Sequence, residues 1–435
     1  MFGYYLKLAL RSFRRNKALT ALMVLAIALG IGAAMTTITV FHVLSGDPIP
    51  HKSDRLFYVQ LDPELAMGNY TPGEEPQEQL TRFDAEELLR QKRAMRQALM
   101  TGGGAAVTPD GGSLKPFVID ARWASADFFP MFEVPFRYGR GWTAADDEAK
   151  ARVVVIARAL NDKLFDGADS TGRTLHFNEH EFRIVGVLDD WSPQPHFYDL
   201  NTGKYGSDEQ LYAPFSTAME LKLWGNGSTN CFGREAVNDM RAVNAPCAWI
   251  QYWVELENPD RAGDFKAYLD NYSAQQKEAG RFERPPNTRL RNVMQWLDYN
   301  QVVPGDVRLQ LWLAFGFLLV CLVNTVGLLL AKFLRRSGEI GVRRALGASR
   351  SEIFRQCLVE AGAVGLAGAL LGLGLAELGL WAVRQRPTEY APLAQLDGSM
   401  LLLTFVLAIA ASLLAGLLPA LRAMQVTPAV QLKTQ

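Results

Sequence analysis

The chain has 435 residues with 45 basic and 45 acidic side chains, so its formal charge is zero. Four uninterrupted apolar runs, each at or beyond the roughly 20 residues needed to cross a bilayer, exclude a wholly soluble protein. The zero charge is an average of unlike parts: residues 46–307 hold 39 acidic and 28 basic side chains and the remainder 17 basic and 6 acidic, and no nucleic-acid partner is expected.

In chain order, Tyr4 to Lys17 is predicted to form an amphipathic helix (1–17), with Tyr5, Leu6, Leu8, Ala9 and Phe13 apolar and Lys7, Arg11, Arg14 and Arg15 basic at helical spacing. Such a helix lies on the inner membrane surface, and a plain basic anchor without a defined helix is the alternative. The first apolar run, 18–44, exceeds the h-region of a signal peptide, so a span is expected instead of a cleaved leader. Basic residues and no acid precede it, which places the N-terminus in the cytoplasm. The remaining spans are expected at 308–334, 361–383 and 400–421. That leaves 45–307 outside, 335–360 in the cytoplasm, 384–399 as a short outer loop and 422–435 as a cytoplasmic tail. The expected location is the bacterial inner membrane with both termini inside and lipid around the spans.

Within 45–307 strands and helices mix without regular alternation, which predicts α+β construction. Strands are expected at Arg55 to Gln60, Ala151 to Ile156 and Trp249 to Leu256, and helices at Asp84 to Gln97, with Asp84 as cap, and Ala262 to Gln276. Thr174 to Phe177 and Phe182 to Val185 read as a hairpin across a polar turn. Two subdomains are expected, one built from both ends of the segment and one inserted between. The fold class is therefore an α-helical membrane protein with four transmembrane helices plus a large α+β extracytoplasmic domain between spans 1 and 2. Cys231 and Cys247 lie on this domain, and two readings stay open: a disulfide in an oxidising compartment, or two free thiols.

The insert between spans 2 and 3, "RRSGEIGVRRALGASRSEIFRQCLVEA", is densely basic. "GEIGVRRALGAS" reads as a short helix with Glu339 and Arg343 at ion-pair spacing and Val342, Ala345 and Leu346 on an apolar stripe. Gly347 is placed to end it, and Ser349 with Glu352 forms a capping box that starts the next helix. A helix, a sharp stop and a second helix entering a span make a stiff lever; an ordinary basic loop would need the charges but not this pattern.

Other signals are weaker. "GADSTGRT", Gly167 to Thr174, approaches a phosphate loop with Arg173 in place of its lysine, but it leads into a hairpin outside the cell. His176 and His180 are four apart yet flank that hairpin's turn, so no metal site is assigned. No nucleophile elbow or catalytic dyad is legible, and no catalytic residue is assigned. In span 3, Gly368 and Gly372 form a GxxxG step for close helix approach, either to a partner permease or to another span of this chain. Glu377 is an intramembrane carboxylate about two turns from Arg384, read as a paired acid or a functional one.

The insert resembles the hallmark of the FtsX-like permease domain, and the chain resembles MacB-like ABC transporter permeases of the type VII, mechanotransmission class. "LRSFRRNKALTALMVLAIALGIGAA" is similar to the first span, "SADFFPMFEVPFRYGR" and "LFDGADSTGRTLHFNEHEFRIVGVL" to the periplasmic core domain, and "LPALRAMQVTPAVQLK" to the C-terminal end. The resemblance implies a non-catalytic efflux permease that works as a dimer with an identical or paralogous second copy. It also implies ATPase subunits holding ATP and Mg, here expected as a separate chain, a periplasmic adaptor and an outer-membrane channel. By the same resemblance the residues pressed into the ATPase would be Glu339, Ile340, Gly341, Val342, Arg343, Arg344, Ala345, Leu346 and Gly347. Lipoprotein release, regulation of a wall hydrolase as by FtsX, and peptide sensing for a kinase are the alternatives that share this scaffold.

Overall fold

The computed structural model describes residues 2–66, 71–109, 114–234, 236–388 and 390–425. Residues 426–435, which end the C-terminal resemblance, lie outside the described residues, as do the side chains of Tyr4, Leu6, Lys7, Ala9 and Arg14 in the first helix.

Helix α1 (Phe2–Arg15) precedes the first long apolar helix α2 (Lys17–Ser45). The domain follows with β1 (Leu56–Gln60), β2 (Leu80–Thr81), α3 (Arg82–Gln91), β3 (Arg96–Thr108), β4 (Phe117–Ala124), α4 (Phe128–Met131) and β5 (Phe136–Gly139). Next come α5 (Ala144–Glu148), β6 (Val153–Ile156), α6 (Arg158–Phe165), β7 (Thr174–Phe177), β8 (His180–Leu188), β9 (Leu211–Pro214) and α7 (Phe215–Glu220). It closes with β10 (Asn230–Cys231), β11 (Cys247–Glu255), α8 (Ala262–Glu278), β12 (Arg289–Asn292) and α9 (Val293–Tyr299). Three long helices, α10 (Gly305–Arg335), α12 (Arg350–Arg384) and α13 (Gly398–Met424), with the short α11 (Ser337–Ala345), complete the chain. Among the described residues four helices, α2, α10, α12 and α13, are long and apolar enough to cross a membrane. Residues 1–45 and 303–435 form one compact unit and residues 46–302 a second.

The second unit is built on one sheet with the strand order β12-β1-β11-β3-β4-β9-β6-β8-β5. The first four strands come from the two ends of the segment and the rest from its middle, all within one continuous sheet. The antiparallel β3–β4 hairpin joins them, in register from Met100↔Ala124 to Val107↔Phe117. β3 can pass through the middle because Gly102 to Gly104 carry no side chains: a Cβ on Gly103 would strike the Trp123 indole. The β7–β8 turn is two residues long, with Asn178 and Glu179 at φ 47° and 65°, the left-handed pair that a tight hairpin requires. Phe177 therefore faces His180, and β8 begins earlier than the apolar pattern suggests.

The helix expected at Asp84 to Gln97 is corrected. α3 ends at Gln91, with Lys92 left-handed at φ 49°, and Arg96 and Gln97 already pair with Glu255 and Val254 of β11. Thr81 is the cap, its hydroxyl accepting from the Asp84 amide at 3.2 Å. The Asp84 carboxylate instead takes Tyr272 Oη at 2.7 Å and Arg281 Nη1 at 2.8 Å.

In the first unit α2 packs on both α10 and α12, and α12 on α13. Gly368 and Gly372 face α2 of the same chain. A Cβ at Gly368 would lie 2.6 Å from Ile27 Cγ2, and one at Gly372 would lie 3.2 Å from the Ala28 carbonyl oxygen. The GxxxG step thus serves packing within the chain.

Candidate coupling segment and its buried charge network

The connection between α10 and α12 is ordered by local chemistry. α11 stops because Gly347 takes φ +102°, which lets its amide donate to Arg344 O at 3.2 Å and the Ala348 amide to Arg343 O at 3.0 Å. α12 starts at Ser349: its hydroxyl accepts from the Glu352 amide at 3.2 Å, and Glu352 Oε2 accepts from the Ser349 amide at 2.8 Å. Between these caps α11 presents two faces. Ile340 and Gly341 are buried, whereas Val342, Ala345, Leu346 and Gly347 are exposed, Leu346 at 83%. An exposed leucine of that extent at the end of a capped helix is an apolar surface that the described residues of this chain leave uncovered.

Glu339 is the electrostatic centre of α11. Its carboxylate accepts from Arg336 Nε and Nη2 at 3.2 Å each and from Arg343 Nη2 at 3.4 Å, with Arg15 Nη1 3.6 Å away. Partial burial alone would raise its pKa, but the hydrogen bond from Arg336 and the charges of Arg336, Arg343 and Arg15 hold it below the usual carboxylate range. Arg343 also donates to Gln356 Oε1 at 3.1 Å, and Arg344 to the Met424 carbonyl at 3.4 Å. The expected ion pair is therefore one link of a longer chain.

That chain reaches a buried group that sequence reasoning passed over. Glu360 in α12 is only 2% exposed; Lys332 Nζ lies 2.7 Å from its Oε1, and Arg336 Nη1 donates to its Oε2 at 3.1 Å. Ser12 of α1 donates to it at 2.5 Å. Lys332, near the C-terminal end of α10, is fully buried and faces the Phe13 ring at 5.0 Å. A signal for Glu360 existed, since a carboxylate beside an apolar run is a functional candidate. Starting the span at Ala361 left it in the loop.

The remaining sites resolve individually. Glu377 is paired with Arg384 at 2.5 Å, and Arg384 also donates to the Ala394 carbonyl at 2.7 Å. Cys231 and Cys247 form a disulfide, S–S 2.02 Å, across β10 and β11. His176 and His180 lie on facing strands, and His176 Nε2 is 3.2 Å from Glu181. Gly167 to Thr174 runs from the end of α6 into β7, with the Arg173 guanidinium over the Phe165 ring at 5.1 Å.

In the domain a cleft of about 770 Å3 is lined by residues of α3, α5 and α7, among them Leu89, Phe215, Met219 and Asp147. Burial pushes the Asp147 carboxyl up to about 7, although the Ala126 amide and the Trp142 indole donate to it at 2.7 and 3.1 Å. An acid whose folded value lies above its unfolded value of 3.8 keeps a proton that the unfolded chain has released. Stability is thus fully present below about pH 4 and falls as pH rises towards about 7, by on the order of 2 kcal/mol after solvent screening. In urea unfolding of the domain, Asp147→Asn is expected to flatten this slope; equal slopes in both proteins would show that Asp147 is not its source.

Residues 20–272 match the MacB-like periplasmic core domain, and residues 311–428 match the FtsX-like permease C-terminal domain. The chain is 26% identical over 452 residues to the macrolide export ATP-binding/permease protein MacB of Rhodospirillum rubrum, covering 100% of this chain and 61% of the relative. It is 26% identical over 313 residues to the pyoverdine export ATP-binding/permease protein PvdT of Pseudomonas aeruginosa, covering 72% of this chain and 42% of the relative. The periplasmic region of MacB from Actinobacillus actinomycetemcomitans aligns with a TM-score of 0.37 at 15% identity, over 59% of this chain and 96% of that one. The chain spans between 42% and 61% of the length of these two curated relatives. The core-domain match takes in more than half of the residues and continues, after the second span begins, into the permease match. The chain belongs to the MacB-like family of FtsX-type ABC transporter permeases.

Proposed function

We propose that this chain is the permease subunit of an ATP-driven exporter that relays motion of a separate ATPase to the extracytoplasmic domain and so expels peptides, toxins or drugs from the periplasm. In this reading the protein sits in the inner membrane with both termini and α11 in the cytoplasm, and pairs with a second permease. ATP and Mg belong to the ATPase, and cargo leaves through an adaptor and an outer-membrane channel. The observation that carries it is α11: a short helix, capped by Gly347 and followed by a capping box, whose Val342 and Leu346 are exposed while Glu339 is tied back to the spans. The relatives' names support export, since both are exporters that join an ATP-binding part to a permease.

The test is the double variant Val342→Asp with Leu346→Asp. Both positions are exposed, so insertion and membrane level are expected to match the parent. Burying two carboxylates against a partner is expected to cost at least about 2 kcal/mol, lowering co-purification of the ATPase about thirtyfold. Undiminished ATPase recovery, measured by quantitative mass spectrometry of the purified complex, would remove α11 as the docking element.

A further inference from the structure

One carboxylate joins three helices, of which α1 lies more than 300 residues in sequence from its contacts on the other two. Glu360 of α12 receives Lys332 and Arg336, at the end of α10, and Ser12 of α1, at 2.7, 3.1 and 2.5 Å. Arg336 is the shared member. Its Nη1 serves Glu360 and, at 3.1 Å, Ser12 Oγ, while its Nε and Nη2 take the two oxygens of Glu339 on α11 at 3.2 Å each. A planar guanidinium with donors on several edges can hold two carboxylates at once; an ammonium is a single point of charge and cannot fix both orientations.

The backbone makes this second tie significant. α11 and α12 are joined by the Leu346 to Ser349 turn, which bends at the left-handed Gly347, and by the bond from Arg343 Nη1 to Gln356 Oε1 at 3.1 Å. A push on α11 would be absorbed by rotation about that turn unless side-chain ties span the angle. Arg343 and Gln356 form a tie with a neutral acceptor, and Arg336 supplies the doubly charged one, from Glu339 on α11 to Glu360 in α12. Lys332 and Glu360 are almost inaccessible, so the network is held in low dielectric, where its geometry is strongly enforced. Apolar residues of similar volume would hold three helices as well, so packing alone does not account for buried charge here.

We propose that Arg336 is a positioning residue: it acts as a strut between Glu339 and Glu360 through which displacement of α11 is passed to α12 and to the N-terminal helix α1. The proposal rests on the reading of α11 as the element that an ATPase moves. Arg336→Lys separates the strut from a merely structural charge, because lysine still neutralises Glu360 but cannot bridge to Glu339.

The experiment uses the full permease purified with its ATPase and an environment-sensitive fluorophore on Gln385→Cys, an exposed position immediately after α12. The native cysteines are a disulfide and two buried thiols, which leaves the new thiol to react. ATPase recovery, hydrolysis rate and the fluorescence difference between nucleotide-free and ATP·Mg states are measured together. In the parent a nucleotide-dependent difference is expected. In Arg336→Lys recovery and hydrolysis stay at the parental level while the difference falls about fivefold or more, the scale of a coupling energy between sites. A parental difference in Arg336→Lys overturns the strut, as does a variant that loses only thermal stability and keeps the full difference per complex. Glu360→Gln, which cuts the same strut on the α12 side away from the docking residues, gives the same two-way result if Arg336→Lys fails to accumulate. Loss of the ATPase from the Val342→Asp with Leu346→Asp protein tests docking separately, and a docked parent without any nucleotide response would sink the lever together with the strut.

Discussion

Arg122→Met is expected to destabilise the extracytoplasmic domain by about 3–5 kcal/mol, the cost of leaving buried carboxylates without their cation. Arg122 is 1% exposed in β4; Nη1 donates to Asp199 Oδ2 at 2.6 Å and Nε to Glu209 Oε1 at 3.0 Å, with Nη2 closing on the same Glu209 oxygen. The carboxylates are themselves held: Tyr198 Oη donates to Glu209 at 2.7 Å and Thr202 Oγ1 to Asp199 at 2.6 Å. Burial opposes the charge on Arg122, but Glu209 and Asp199 outweigh it and drive its pKa above the ordinary arginine value. Removing the cation turns two satisfied anions into two buried, mutually repelling ones. Combining Arg122→Met with Asp199→Asn and Glu209→Gln should recover much of the loss, because the charges are then removed together. Denaturant unfolding followed by tryptophan fluorescence reads both, and a single variant within about 0.5 kcal/mol of the parent would show that the cluster carries no net electrostatic weight.

Gly368→Leu is expected to disrupt the packing of α12 against α2. Its Cβ would stand 2.6 Å from Ile27 Cγ2 and 2.9 Å from Ile27 Cβ on α2. Isoleucine in a helix has one strongly preferred χ1 state and cannot swing aside, so the helices themselves must separate. Overpacking costs about 1–3 kcal/mol in a well-packed core, and here it is added to lost contact along α2 and α12. Gly374→Leu is the control, since nothing lies within 4 Å of a Cβ at that position. The monodisperse fraction and melting temperature in detergent should fall for Gly368→Leu and stay near the parent for Gly374→Leu. Equal behaviour of the two would show that α2 and α12 do not meet at this glycine.

The sequence alone determined the four long apolar helices and the large domain between the first two, because span length and charge bias are properties of a local window. The α11–α12 corner was legible for the same reason: Gly347, Ser349 and Glu352 act on amides within four residues of themselves. The β7–β8 hairpin likewise follows from a polar turn between apolar alternations. The misread helix marks where this logic stops. Nothing in "LLRQKRAMRQ" ends a helix, and it is pairing of Arg96 and Gln97 with β11, some 160 residues away, that pulls them into a strand. Gly368 and Gly372 announced a close approach, but only packing chose α2 as the surface approached. The buried network lay furthest from view. Ser12 and Glu360 are 348 residues apart and Arg122 and Glu209 are 87 apart, so no local window shows either pairing. Burial of a charge is decided by what surrounds it in space, and its partner by which helices or strands share a face. Those quantities exist only once the chain has packed, which is why the tertiary structure alone decided that Lys332, Arg336 and Glu360 meet.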